Sequence, residues 1–433
     1  MTKLADLAEE ALALALKAGA DAASVVAADS RSTEAALRDG QLENVESSES
    51  IGIDLVVWSG ASKASVSSGS VTSADLAETA RRALAMARLA PPDPFSVLAE
   101  PGELATHFPD LELNDPTGLS TERLVALARE CEDAARAVPG VSKSAGAGAS
   151  MSRYSFAKRM SNGFAGEGTR SGFSFSVSAI AGEGTGMERD YDYSSAVWFA
   201  DLDSPHAVGR NAGERAVARL HPRKVKSQAV PVIFDPRVAS GILSHLAGAI
   251  AGQAIARGTS FLKDGLGAPL FAPGITILDD PLKKRAPASR AFDSDGLPAK
   301  RTEVVKDGVL SHVFMDLASA RQLGRKATGR GSSNLWMANG TRSPAELMAD
   351  IGQGLFVTEL LGHGANLVTG DYSRGASGFW IENGEIAYPV SEITIAGNLK
   401  DMFARLTPAN DLKFRGSLNA PTLRLEGMTI AGA

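Results

Sequence analysis

The chain has 433 residues, 44% of them hydrophobic and 22% charged, which is ordinary globular usage and excludes wholesale disorder. A formal net charge of -6 with no long basic run argues against nucleic acid as a direct partner, because the densest basic stretch, residues 221–226, is short and reads as a solvated linker. One cysteine, Cys131, excludes an intrachain disulfide and fits a reducing compartment, and no apolar run is long enough to span a bilayer, so a cytoplasmic protein is expected.

Apolar spacing predicts an amphipathic helix over residues 4–17 that stops at Gly19. Three or four strands are predicted over residues 23–68, with Asp39-Gly40 marking a hairpin. A second helix starts with Ser73 as N-cap and ends before Pro91-Pro92, and residues 91–116 read as an irregular connection. A third helix is expected over residues 120–138, closed by Pro139-Gly140, followed by a strand-rich region to residue 199 and a fourth helix over residues 205–220. The second half opens with a strand, AVPVIFD, and a helix over residues 236–256. Strands and turns follow, with hairpins at Asp307-Gly308 and Asn383-Gly384. With 44 glycines and only 6% aromatic residues, the pattern predicts an α+β fold of two domains. Residues 1–222 form an N-terminal domain mixing helices with antiparallel strands, and residues 223–433 form a β-rich domain carrying one prominent helix.

Few residues in the sequence suggest chemistry. The six histidines, His107, His206, His221, His245, His312 and His363, include no pair within one helical turn, and none is followed by glutamate. No Gly-x-Ser-x-Gly elbow occurs, and Cys131 sits among Glu130, Glu132 and Asp133, which disfavour a thiolate. Ser244-His245 and Ser311-His312 are sequence neighbours, which seldom face each other. Gly146, Gly148, Gly182, Gly184 and Gly186 lack the helix context of a phosphate cradle and read as hairpin turns. No catalytic and no metal-binding residue is assigned. One unusual segment remains, residues 362–383, a glycine-rich polar loop feeding a strand with Phe379, Trp380 and Ile381. It suits a binding loop and a plain turn at a strand edge about equally.

The run VTGDYSRGASGFWIENGEIAYPVSEITIAGNLKDM from Val368, together with ARGTSFLKDGLG from Ala256 and PTLRLEGMTIAG near the end, resembles the TldD/PmbA family, formerly called modulator of DNA gyrase. ALKAGADAASVVAADSRSTEAALRDGQLENVESSESIGIDL is similar to that family's amino-terminal part, so the likeness covers nearly the whole chain. In the TldD branch, a helix before the Gly-Thr-Ser motif carries His-Glu-x-x-x-His, and a late cysteine completes a zinc site. Here the corresponding positions hold Leu243, Ser244 and Gly248, and no cysteine follows Cys131. This departure resembles the PmbA branch, also called TldE.

The resemblance implies a non-catalytic subunit of a heterodimeric zinc metallopeptidase that acts on unfolded or small peptides. Zinc would then be held by a TldD-like partner and by no residue of this chain. Arg257, Gly258, Thr259, Ser260, Asp371, Tyr372 and Arg374 are the candidates for cleft or interface contacts with extended peptide or partner. Two rivals remain: a homodimeric peptide-binding protein without peptidase activity, and a hydrolase with its own non-metal site.

Overall fold

The computed structural model describes residues 4–362 and 364–432. Helix α1 (Leu4–Lys17) buries Leu7, Ala8, Ala11 and Ala15, one stripe at helical spacing. Strands β1 (Ala22–Arg38), β2 (Gln41–Ser59) and β3 (Ser62–Ser68) follow, then α2 (Ser73–Leu89). After an irregular stretch come α3 (Thr121–Arg136), β4 (Val141–Met160), β5 (Ala165–Ala181), β6 (Glu188–Ala196) and α4 (Pro205–Ala218). These six strands form one antiparallel sheet in the order β3-β2-β1-β4-β5-β6.

The burial pattern of β1 explains how four helices share that sheet. Ala23, Val25 and Ala27 are buried at one end, and Ala35 and Leu37 at the other. Between them the same face carries Asp29 and Arg31, paired with each other at 3.1 Å. The first apolar patch packs with α1 and α2, and the second with α3 and α4. The polar middle marks the gap between the two helix pairs, where no apolar side chain is available to bury. At the tip, Asp39 and Gly40 take φ of 48° and 78°, the left-handed turn that this dipeptide favours.

The second half holds β7 (Gln228–Phe234), α5 (Pro236–Ala249), α6 (Gly252–Ala256), β8 (Ile277–Asp279), β9 (Thr302–Lys306), β10 (Val309–Leu310) and α7 (Leu317–Gln322). Next come β11 (Leu335–Met337), α8 (Pro344–Met348), β12 (Gln353–Leu361), β13 (Asp371–Glu382), β14 (Glu385–Asn398), α9 (Leu399–Arg405), β15 (Leu406–Pro408), β16 (Leu418–Asn419) and β17 (Leu423–Ala431). One sheet runs β14-β13-β12-β7-β17-β15, and a further β14–β17 pairing closes five of these strands into a barrel. A second sheet, β10-β9-β8-β11-β16, lies beside it. The continuous apolar cluster of this half contains β7, α5 and barrel residues such as Val232, Leu243, Leu355 and Ile395.

The α+β class with an antiparallel first sheet is as expected, the sheets of the second half each include one parallel pair (β7 with β12, β11 with β16), and three local expectations are corrected. The N-cap of α2 is Thr72, whose side chain accepts from the Asp75 amide, and Ser73 is already helical. The helix expected over residues 236–256 breaks at Ile250 and Ala251 into α5 and α6. There the Gly252 amide leaves the helix to donate to the Phe314 carbonyl at 2.6 Å. A Cβ on Gly252 would meet that same oxygen at 2.9 Å, so the close approach requires glycine. The β-rich half also carries α7, α8 and α9, short helices that the sequence reading did not anticipate.

Candidate functional site

Helix α5 leaves β7 through Asp235, which caps it by accepting from the Arg237 amide at 2.9 Å. Its inward stripe, Ala239, Ile242, Leu243, Leu246 and Ala249, is anchored in the core. Ser244 points to solvent, and His245 is half-buried. The His245 ring packs edge-on against Tyr372 of β13, with centroids 5.8 Å apart. Arg374, two residues further along β13, belongs to the same cluster and donates through Nη2 to the Leu360 carbonyl at 3.4 Å.

Three polar atoms of this cluster are sealed from solvent without a hydrogen-bond partner among the described residues: His245 Nε2, Tyr372 Oη and Arg374 Nε. Burial lowers the His245 pKa, and the neighbouring Arg374 charge lowers it further, so the imidazole is neutral near pH 7. Burial pushes the Tyr372 hydroxyl up to about 12 against the opposing influence of Arg374, which keeps the phenol protonated. The cluster therefore presents hydrogen-bond donors and one neutral imidazole, with no activated nucleophile. Cys131 is no substitute, because burial together with Asp192 and Glu132 pushes its thiol up to about 12.

The residues proposed from sequence fall into two groups. Arg257, Gly258 and Thr259 are exposed after α6. Ser260 is internal, donating to the Ala249 carbonyl at 2.5 Å and accepting from the Leu262 amide at 2.9 Å, so it braces the end of α5. Asp371 is exposed and accepts from Thr369 at 2.6 Å and Asn398 at 3.2 Å. Those two hydrogen bonds, Thr369 first, hold its carboxyl below the usual range. Tyr372 is buried and Arg374 half-buried. The fold does bring the two segments together, since the Phe261 amide donates to the Leu367 carbonyl at 2.8 Å. His363 lies outside the described residues.

The sequence reading missed a second feature entirely. On β6, the buried Asp190 receives Arg237 at 2.8 Å, and the buried Asp192 receives Arg415 at 2.9 Å and Arg215 at 3.2 Å. Arg219 reaches Glu359 of β12 at 2.5 Å, so a chain of ion pairs ties the edge of the first sheet to the barrel half. No local motif announces partners this far apart in sequence.

Three family models match the chain: PmbA/TldA metallopeptidase domain 1 over residues 23–87, the central domain over 114–220 and the C-terminal domain over 227–432. The chain is 38% identical to Metalloprotease PmbA of Escherichia coli O157:H7, over 98% of this chain and 96% of that one. The chain belongs to the PmbA/TldD family. A crystal structure described as a candidate modulator of DNA gyrase from Bacteroides thetaiotaomicron superposes with a TM-score of 0.93, at 30% identity over 99% of this chain and 98% of that chain. TldE from Thermococcus kodakarensis shares the fold, with a TM-score of 0.85 at 21% identity over 98% of this chain and all of that one.

A zinc ion is what the family's metallopeptidase description implies, and the residues of α5 do not fit one. Leu243, where the sequence resemblance would place a ligand, is fully buried in the apolar core. Any side chain at Gly248 would have to displace Leu367, whose Cδ1 lies 2.9 Å from the position of a Cβ there. The one imidazole of α5 faces a protonated phenol and a guanidinium, and a zinc site in a hydrolase takes three protein donors with no cation among them. The described residues contain no group of three or more His, Cys, Asp or Glu able to hold a metal ion.

Proposed function

We propose that this chain is the non-catalytic member of a two-subunit peptidase, and that it shapes the substrate chamber of a zinc-bearing TldD-like partner. What supports this reading is α5: the resemblance puts the family's metal helix here, just before the Gly258-Thr259-Ser260 motif, and the side chains of α5 bury, cap and pack. The name Metalloprotease PmbA of the Escherichia coli relative is compatible with an activity that belongs to a pair. Unfolded or small peptides in the cytoplasm are the proposed substrates. An aromatic groove supports a peptide-handling role. It has a volume of about 660 Å³ and is lined by Tyr154, Phe156, Trp198, Arg170 and Phe292 among others. Glycines make room for its rings: a Cβ on Gly168 would meet Phe156 Cε1 at 2.7 Å. A groove with apolar walls and a few charged groups accepts the apolar side chains of an extended peptide.

Co-expression with the TldD-like protein of the same cell tests the reading. A stable complex that cleaves a disordered peptide, loses activity to a chelator and regains it with zinc supports it. Chelator-resistant cleavage by this chain alone would instead favour a hydrolase with its own site. Failure of the two proteins to associate, with peptide bound by this chain as a homodimer, would favour a binding protein.

A further inference from the structure

Apart from α5, the first sheet carries a buried carboxylate, that of Asp192 on β6. Its side chain has no solvent exposure, and its Oδ1 receives both Arg415 Nη1 and Arg215 Nη1. Its Oδ2 accepts from Asn211 at 3.0 Å. One negative charge thus holds two guanidinium groups side by side. Burial alone would raise the Asp192 pKa, but Arg415, Arg215 and Asn211 hold it below the usual carboxylate range, so it stays charged.

These arginines line a pocket of about 340 Å³ between β6, α4, the start of α5 and residues 411–420, with Tyr191, Tyr193 and Ser240 as further walls. Its ionic lining is Arg215, Arg237, Lys413 and Arg415 against Asp235 and Asp411. Both acids are already engaged. Asp235 caps α5 and receives Arg237, while Asp411 accepts from the Thr422 amide at 2.9 Å and hydroxyl at 2.8 Å. The cations keep donors to spare: Nε and Nη2 of both Arg215 and Arg415 make no hydrogen bond among the described residues, and Lys413 makes no ion pair there. Arg415 is further steadied above the Tyr193 ring, 5.9 Å from its centroid. Asp235 Oδ2 is the one carboxylate oxygen of the lining without a hydrogen bond among the described residues, and it is outnumbered by the spare donors of two fixed guanidinium forks and an exposed ammonium, a set suited to an oxyanion.

We propose that this pocket binds a carboxylate of a peptide through Arg215, Arg415 and Lys413. The inference rests on the peptide-handling reading above, and deepens it by naming what part of the peptide is recognised. The carboxylate comes from the chain's carboxyl terminus or from an acidic side chain, and three probes separate these sources: acetyl-Ala-Ala with a free carboxylate, acetyl-Ala-Ala amide, and acetyl-Ala-Glu amide.

Calorimetric titration of the full chain is the test. Binding of the free acid, or of the Glu amide, at least about tenfold tighter than acetyl-Ala-Ala amide supports the site, since a hydrogen bond to a charged group is worth a factor of that order. The same preference must weaken about tenfold in Lys413→Gln, an exposed position whose loss leaves the fold intact, and in Arg415→Gln. No binding of any probe, equal binding of acid and amides, or an unchanged preference in Lys413→Gln would each overturn the site. Peptide cleavage by the pair with a TldD-like partner is read in parallel. Cleavage without acid preference removes the carboxylate site and leaves the peptidase reading standing. Acid preference without cleavage does the reverse.

Discussion

His245, Tyr372 and Arg374 show how an ionisable cluster stays silent. Each has a buried polar atom without a partner, and a buried unsatisfied hydroxyl costs about 1–3 kcal/mol. Tyr372→Phe removes one of these while keeping the ring that packs on His245, and should raise unfolding stability by about 1 kcal/mol in urea titration. A clear loss would mean that the hydroxyl has a partner in solution. The lowered His245 pKa also has a sign. Its folded value lies below the ordinary imidazole value of about 6.5, so the unfolded chain takes up protons first as pH falls. Stability is then lost on acidification below about pH 6.5 and is fully present above it. Half-buried His312 is shifted in the same direction by desolvation, so His245→Gln should remove only part of the acid-side slope. Urea unfolding followed from neutral to mildly acid pH reads this, and an unchanged slope would exclude His245 as a contributor. His245 follows Leu243 and Ser244, two of the positions that the resemblance aligns with the family's metal motif. Its partners on β13 were nominated for a different reason, as polar groups in a glycine-rich loop, because nothing local in the chain announces a contact between α5 and β13.

At the scale of elements, the long strands and helices were legible and the breaks were not. The strands around β1, the Asp39-Gly40 turn and the start of a helix at Ser120 are local signals, and the structure follows them. The interruption between α5 and α6 is a tertiary effect, because helical spacing runs on through Ile250 while the Phe314 carbonyl claims the Gly252 amide. Gly252→Ala would help an uninterrupted helix, but here it sets a methyl against Phe314 O and Ser319 Oγ. We expect it to lower stability by about 1–3 kcal/mol in denaturant unfolding. A stabilising effect would show that the break is soft. The short helices were harder to read, since five to seven residues carry too little periodicity. Only α8 had a usable signal, the Ser343 and Glu346 capping box.

For the whole molecule, the ion pairs of Asp190, Asp192, Arg219 and Arg237 fix the first sheet against the barrel half. They could not be read from sequence, because each charge alone looks like a solvated surface residue and only the fold buries it. Family membership was legible from long motifs, as was the likeness in fold to proteins of both family names. The proposed division of labour between two subunits turns on whether α5 holds a metal. Metal analysis of the purified chain, after exposure to zinc and removal of excess, tests it most directly. No zinc above background is expected in this chain, and stoichiometric zinc is expected once a TldD-like partner is bound. Stoichiometric zinc in the isolated chain, lost on His245→Ala, would contradict it.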